Sequence, residues 1–367
     1  MRRPRAAALE ARELIEERSE ERLERTRLEA YLRGRLEGAE GPLSVRQFGG
    51  GQANLTYLLT FGGNEFVLRR PPLGPLPPGA HDMAREYRVL SRLYRAYALA
   101  PRALHLCEDP GVIGAPFVIE ERRHGFVIRE DLPPEYAGNP ELNRRIGFAL
   151  VDALAQLHRV DPSAVGLDTL GRPEGFLLRQ LEGWTRRWHA ALDLPEQEAA
   201  ERAAAAAILW LEKHLPPSAA SSLVHNDYRL DNLLLASEDP GRVVAVLDWD
   251  MGTRGDPLCD LGYLLNYWLE PEDDPFWRRI LPMPTWREGF PSRKEATRRY
   301  AENTGFDLRA LSWYRVFAAF KLAVIIQQIY IRYRRGQTRD RRFADFGEMV
   351  EALARKAAML ANAAPLF

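Results

Sequence analysis

Cysteine is nearly absent from this sequence: Cys107 and Cys259 stand alone in 367 residues, in dissimilar surroundings and without Cys-x-x-Cys spacing. That excludes a disulfide framework, offers no zinc-finger pattern, and points to a reducing compartment, the cytoplasm. An excess of charge of either sign is also missing. Lysine plus arginine and aspartate plus glutamate each number 51, so no overall field draws the chain to nucleic acid or to an anionic membrane. An anionic ligand has to be held locally. Long apolar runs are lacking too: the most apolar stretch, 317–330, is interrupted by Lys321, Gln327 and Gln328 and reads as too short to span a bilayer. The amino terminus passes directly into charged sequence without the apolar core of a secretory signal, so no export is expected. What remains is a chain with 46% apolar residues, enough for two lobes with substantial cores.

Residues 1–40 carry ten arginines and ten glutamates and read as a charged, exposed helical extension, with leucines that fit no sustained heptad. From 41 to 121 the period becomes strand-like, at 45–48, 55–61, 65–69 and 117–120, with glycine clusters between. A helical pattern at 80–97 lies between the third and fourth runs, after a stiff proline-rich connection at 71–78. From 122 to 367 the chain is mainly helical, with candidate helices at 141–158, 176–192, 196–214, 256–267, 291–304, 308–335 and 345–363. The expected fold class is α+β: a small β-rich lobe followed by a larger helical lobe.

Among those helices lies a short strand pair with unusual polar content. Leu-Val-His-Asn-Asp-Tyr-Arg-Leu-Asp-Asn at 223–232 precedes an apolar run, and Val-Ala-Val-Leu-Asp-Trp-Asp at 244–250 follows one. His225-x-Asp227-x-x-x-x-Asn232 sets a carboxylate and an amide five residues apart on one loop, and Asp248, a strand later, adds a second carboxylate. Phosphoryl transfer from a nucleotide needs oxygen ligands for magnesium and a carboxylate to align the attacking hydroxyl. Asp227, Asn232 and Asp248 supply those groups. Aspartate and asparagine also cap ordinary hairpin turns, but the spacing, the flanking strands and the order together favour the catalytic reading. His225, beside Leu223 and Val224, reads as a structural, hydrogen-bonded core residue.

These segments resemble the aminoglycoside-phosphotransferase-like branch of the protein-kinase-like fold, whose catalytic loop reads His-Gly-Asp-x-x-x-x-Asn. The likeness is closest to the kinase domain fused to, or encoded beside, acyl-CoA dehydrogenases. It is carried further by Phe-Gly-Gly-Gly-Gln-Ala-Asn-Leu-Thr-Tyr at 48–57, Phe-Val-Leu-Arg-Arg at 66–70, Arg-Glu-Tyr-Arg-Val-Leu at 85–90, Gly-Asp-Pro-Leu-Cys-Asp-Leu at 255–261 and Lys321-Leu-Ala-Val. The resemblance implies a two-lobed kinase-like fold with Asp227 as catalytic base and Asn232 and Asp248 as ligands of Mg2+. It implies ATP or GTP as phosphoryl donor, a hydroxylated small molecule such as a hydroxyacyl-CoA as acceptor, and an acyl-CoA dehydrogenase as partner. Arg69 stands where most kinases have a phosphate-binding lysine, and Asn226 where the family usually has glycine.

Gly49, Gly50 and Gly51 lack the Gly-x-Gly-x-x-Gly spacing and alone read as a hairpin turn; their place between the first two strands makes them candidates to cover the phosphates. Arg69 and Glu86 read either as a surface ion pair or, by the resemblance, as the active-site pair. Asp256 before Pro257 reads as a helix cap. Arg179, Arg186, Arg187 and the basic run 332–335 read as solvated helix faces. Two competing readings accompany the kinase: a nucleotide-binding pseudokinase acting as an interaction module, motivated by Arg69 and the charged amino terminus, and an antibiotic phosphotransferase.

Overall fold

The computed structural model describes residues 9–50, 54–74, 81–192, 197–338 and 340–363. The chain divides into two compact units. The first runs to Arg129 and takes in Val160–Asp168 and Leu230–Gly252; the second comprises Glu130–Arg159, Thr169–Arg229 and the chain from Thr253 onward.

In the first unit β1 (Leu14–Ile15), β2 (Leu43–Phe48), β3 (Leu55–Phe61), β4 (Asn64–Arg70), β5 (Ala103–Cys107) and β6 (Phe117–Glu121) form an antiparallel sheet in the order β1-β2-β3-β4-β6-β5. Tyr57, Leu59, Phe61, Leu68, Phe117 and Ile119 build its buried core, as period-two patterning dictates. β5 goes beyond the sequence reading, because Ala-Leu-His-Leu-Cys is short and pairs with a single neighbour. The helix Met83–Leu93 is capped by Asp82, whose carboxylate accepts from the Arg85 N–H at 2.9 Å. Its buried residues, Met83, Glu86, Val89, Leu90 and Leu93, follow helical spacing, and one of them is a glutamate.

The amino-terminal segment corrects the expectation of an exposed helical extension. Residues Leu14–Ile15 add a strand to the sheet, and the helix Arg25–Leu32 is only eight residues long. Leu23, Leu28, Leu32 and Leu36 are buried in the same core as β3 and β4. Their spacing fits no heptad because the surface they cover belongs to a sheet, which imposes no helical repeat.

A smaller sheet in the first unit joins β7 (Phe126–Val127) to a hairpin of β9 (Leu233–Ala236) and β10 (Asp239–Val246). In the second unit β8 (Ser222–Val224) pairs with β11 (Thr253–Gly255). The same unit contains the helices Pro140–His158, Phe176–Ala190, Glu198–Lys213, Leu258–Tyr267, Arg293–Thr304, Leu311–Arg334 and Phe346–Ala361. Several ends are set by local chemistry: Asn139 caps a helix that starts with Pro140, and Ser292 with Glu295 forms a capping box answered by Gly305 in the left-handed region.

Leu311–Arg334, at 24 residues, outruns the apolar stretch read from the sequence and is, by length and composition, able to cross a membrane. Most of it is buried inside the protein, the pattern of a core helix. It meets Leu258–Tyr267 at Gly262, where an added Cβ would lie 2.7 Å from the backbone of Tyr314. Gly262→Ala is therefore expected to destabilise the protein by about 1–3 kcal/mol, measured by chemical denaturation, as overpacked contacts do.

Candidate active site

The hairpin of β9 and β10 carries two of the three sequence-expected groups to one place. Leu233 pairs with Val246, so Asn232, just before β9, and Asp248, just after β10, sit at the same end. The Leu247 N–H donates to the Asn232 carbonyl at 2.8 Å, closing that end. Asp248 has φ 68°, a left-handed conformation that costs a non-glycine residue about 1–3 kcal/mol and that aspartate tolerates better than most. Trp249, buried next to it, anchors the turn through its indole N–H to the Val246 carbonyl at 2.8 Å.

Arg69 sits on β4 opposite Val118 of β6, in the middle of the sheet, and is 9% exposed. Its guanidinium spans three carboxylates. Nη2 lies 2.5 Å from Asp248 Oδ1, and Nε lies 2.9 Å from Glu86 Oε1 and 3.8 Å from Glu120 Oε1. The Glu86 contact is an ion pair by distance but is off the line of a hydrogen bond. A surface ion pair is thereby excluded for Arg69 and Glu86: Glu86 is wholly buried, and its Oε1 also accepts from the Trp249 N–H at 3.3 Å. Asn54 extends the cluster, with Nδ2 3.2 Å from Asp250 Oδ2 and 3.4 Å from Asp248 Oδ1, and Oδ1 2.8 Å from His81 Nδ1.

Carboxyl groups outnumber cations in this cluster. Burial opposes charge on Arg69, but Glu86, Asp248 and Glu120 outweigh it and hold the guanidinium firmly protonated. Burial, against the pull of Arg69, pushes Glu86 up to about 8 and Glu120 up to about 7. Burial and then the neighbouring Asp248 raise Asp250. The donors at the hairpin end, the Asn232 amide oxygen and the Asp248 carboxylate, are hard oxygen ligands of the kind magnesium takes. Among the described residues no group of three or more His, Cys, Asp or Glu side chains forms a metal cage by itself. Magnesium keeps waters and substrate phosphates in its shell and needs no such cage.

Lysine at position 69 would keep the charge and lose the fork. Arg69→Lys cannot reach Glu86, Glu120 and Asp248 together, and we expect it to lower stability by about 1.5–3 kcal/mol in a denaturant titration, the worth of a charge-assisted contact.

Gly49 and Gly50 follow β2. The Gly49 N–H donates to the Glu13 carbonyl at 2.9 Å and its carbonyl accepts from Arg18 Nη2 at 3.1 Å, so the amino-terminal segment braces this loop. At Gly50 a Cβ would collide with the guanidinium of Arg129, which is itself paired with Glu13 at 2.7 Å. Gly51 lies outside the described residues, as do 75–80 of the proline-rich connection.

Asp227 belongs to the second unit, in the loop after β8, and the structure shows how that loop is held. Asp260, wholly buried on the helix Leu258–Tyr267, accepts from the backbone N–H of His225 at 2.6 Å and of Asn226 at 2.7 Å. Its Oδ2 also lies 3.2 Å from His158 Nε2, and His158 Nδ1 lies 2.6 Å from the Tyr300 hydroxyl. Burial raises the Asp260 carboxyl, but the His158 hydrogen bond, His225 and the loop amides overcome it and hold the group below its usual range. Asn226 has φ 69°, the left-handed backbone that explains glycine or asparagine there. His225 is fully buried, and its Nδ1 accepts from the Asp227 N–H at 3.3 Å. The Asp227 carboxylate, half-buried, meets Arg229 Nε at 3.3 Å. Asp256 caps the same helix through the Leu258 N–H at 2.9 Å and also binds Ser218 and Tyr314.

Glu120, Asn54, Asp250, Asp260 and Lys321 were given no role in the site by sequence reasoning. One signal was available: in Leu-Cys-Asp-Leu-Gly-Tyr-Leu-Leu-Asn-Tyr every residue but Cys259 is buried, so an aspartate there needs partners.

A sheet-rich unit holding an Arg-Glu pair and an Asn/Asp hairpin, with a helical unit holding a braced aspartate loop, defines a kinase-like phosphotransferase. Solved structures agree. A Ralstonia eutropha protein of the aminoglycoside phosphotransferase type superposes with TM-score 0.78 at 32% identity, covering 93% of this chain and 99% of that one. Aminoglycoside phosphotransferase APH(4)-Ia, in ternary complex with AMP-PNP and hygromycin B, superposes with TM-score 0.56 at 18% identity over 92% of this chain and 99% of that one, which shows the fold alone.

The chain belongs to the phosphotransferase enzyme family APH, whose family model matches residues 44–301. Among curated proteins it is 35% identical over 330 residues to acyl-CoA dehydrogenase family member 10 of Mus musculus, covering 89% of this chain and 30% of that protein. It is 34% identical over 358 residues to family member 11 of Gallus gallus, covering 93% of this chain and 44% of that protein. The chain thus spans less than half the length of these relatives.

Proposed function

We propose that this protein is a small-molecule kinase that transfers the γ-phosphoryl group of ATP, or of GTP, to an acceptor hydroxyl. The observation that carries the reading is the hairpin end, where Asn232 and Asp248 are set side by side and Arg69 reaches Asp248 from the sheet. Asn232 and Asp248 would hold Mg2+, which supplies neutralisation of the phosphate charge when bound. Arg69, kept in place by Glu86, offers the nucleotide phosphates a planar cation. The glycines after β2 cover them with backbone.

Asp227 accepts the proton of the acceptor hydroxyl as its oxygen attacks the γ-phosphorus, the bond to the β,γ-bridging oxygen breaks, and the nucleoside diphosphate leaves. In this reading the sheet-rich unit binds nucleotide and the helical unit binds acceptor. The similar proteins carry acyl-CoA dehydrogenase in their names, which supports an acyl-CoA dehydrogenase as partner, and a hydroxyacyl-CoA is the acceptor we propose with it. The free cysteines accord with work in the cytoplasm.

Nucleotide turnover with magnesium, measured across a panel of hydroxylated acceptors, tests this. Turnover that depends on acceptor supports it; magnesium-dependent nucleotide binding with no turnover on any acceptor favours the pseudokinase reading, which Arg69 in place of the usual lysine motivates.

A further inference from the structure

In the first unit Arg69 makes a contact that works against the chemistry proposed above. Its Nη2 lies 2.5 Å from Asp248 Oδ1, the carboxylate proposed as a metal ligand. A guanidinium on that oxygen and a divalent cation beside it repel each other, so one has to give way. Glu86 does not decide which. Its Oε1 lies 2.9 Å from Arg69 Nε, off the line of a hydrogen bond, and is held by the Trp249 N–H at 3.3 Å.

Glu120 offers Arg69 another place. Across the pairing of β4 with β6, Arg69 faces Val118 and Glu120 faces Val67, so the two charged residues are diagonal neighbours on one face of the sheet. All of Phe117–Glu120 is buried, and Glu120, 5% exposed, is the one charged residue of the four. Its Oε1 has no hydrogen-bond partner among the described residues, and neither has Arg69 Nε. These unmet atoms, an acceptor and a donor, lie 3.8 Å apart. A normal N–H···O bond is about 2.9 Å long, so a movement of roughly 1 Å by the guanidinium joins them. Burial pushes the Glu120 carboxyl up to about 7, an unfavourable placement that its present contacts leave unanswered. A guanidinium brought within hydrogen-bond distance favours its charged form.

We infer that Arg69 has two positions, one on Asp248 that closes the metal ligand in the nucleotide-free protein and one on Glu120 that it takes once Asp248 ligates Mg2+. Glu120 is then a positioning residue, holding the guanidinium for the nucleotide phosphates. The inference rests on the kinase reading and adds to it a control on metal entry built from three side chains of one unit.

The full chain is titrated with Mn2+, followed by water-proton relaxation, without nucleotide and with non-hydrolysable analogues of ATP and GTP. Thermal melts are recorded alongside. Glu120→Leu removes a buried carboxyl oxygen that has no hydrogen bond, so the metal-free protein is expected to melt at the wild-type temperature or above it. The same variant is expected to bind metal and nucleotide together about tenfold to a hundredfold more weakly, the range of a hydrogen bond to a charged group. Nucleotide without metal should bind as it does to the wild type, because Arg69 then stays on Asp248. Glu120→Gln keeps an acceptor oxygen and is expected to recover part of the loss. Arg69→Gln frees Asp248 and is expected to tighten Mn2+ binding without nucleotide by about tenfold, the worth of one displaced charge contact.

A plain counter-ion role for Glu120 gives a different pattern. Glu120→Leu would then lower the melting temperature and leave metal–nucleotide affinity at the wild-type value, which would overturn the inference. Mn2+ binding unchanged in a folded Arg69→Gln would overturn it too, since Asp248 would not have been closed. If Arg69→Gln does not fold, the two Glu120 variants decide the matter through their metal–nucleotide affinity. Failure of the wild type to bind metal with either nucleotide would sink the kinase reading itself. Equal metal–nucleotide binding by the wild type and both Glu120 variants would sink the inference and leave that reading standing.

Discussion

Asp227→Asn is expected to lower kcat by about 10²- to 10⁴-fold, the usual worth of a positioned general base, while nucleotide affinity and stability stay near those of the wild type. The reason for the split lies in what holds the loop. Asp260 receives the amides of His225 and Asn226, Lys321 holds the Asn226 carbonyl, and His225 is buried behind them. The Asp227 side chain is partly exposed and pairs with Arg229, and the loop itself is held through backbone groups, so replacing one carboxylate oxygen by an amide keeps that backbone scaffold. What it removes is the proton acceptor. Wild-type kcat in the variant would take Asp227 out of the chemistry.

The second large effect is on the scaffold itself. Asp260→Ala strips three partners from one wholly buried carboxylate: two loop amides and the His158 ring. Breaking such a buried charged network costs about 3–5 kcal/mol, and turnover should fall with it because Asp227 rides on the loop. The pH dependence has a definite sign. The folded Asp260 carboxyl is held below its ordinary value, so the unfolded chain takes up its proton first on acidification. Its contribution to stability is therefore complete above the unfolded carboxylate range, near ~4, and is lost as pH falls through the lower folded value. Denaturant titrations at neutral and acid pH should show this loss in the wild type and a flatter acid limb in Asp260→Ala. Identical acid limbs would mean that Asp260 does not carry the linkage.

Much of this architecture is legible in the sequence, and the reason differs by element. The strand 55–61 announces itself by near-alternation, and the helix at 311–334 by a long apolar run that is buried almost all round. Asn232 and Asp248 were legible because their spacing from strands is local, and a hairpin returns the two ends to each other.

What could not be read depends on partners far along the chain. Leu28 and Leu32 look solvated among arginines and glutamates until a sheet covers them. Glu86, Glu120, Asp260 and Lys321 carry charges that hydropathy places in water, and they are buried. Each is tolerated inside because something distant answers it: Arg69 for the glutamates, His158 and two loop amides for Asp260, a carbonyl and two aromatic rings for Lys321. The glycine loop illustrates the same limit, since Gly50 lies against Arg129, a contact that no motif spacing announces.

The most direct measurement is phosphorus NMR of the full chain with nucleotide, magnesium and a mixture of hydroxy acids and hydroxyacyl thioesters. The account expects a new phosphomonoester signal to grow in step with nucleoside diphosphate for the wild type, and neither to appear on the same timescale for Asp227→Asn. Nucleotide left intact by the wild type, or a phosphoester formed equally fast by the variant, would contradict it.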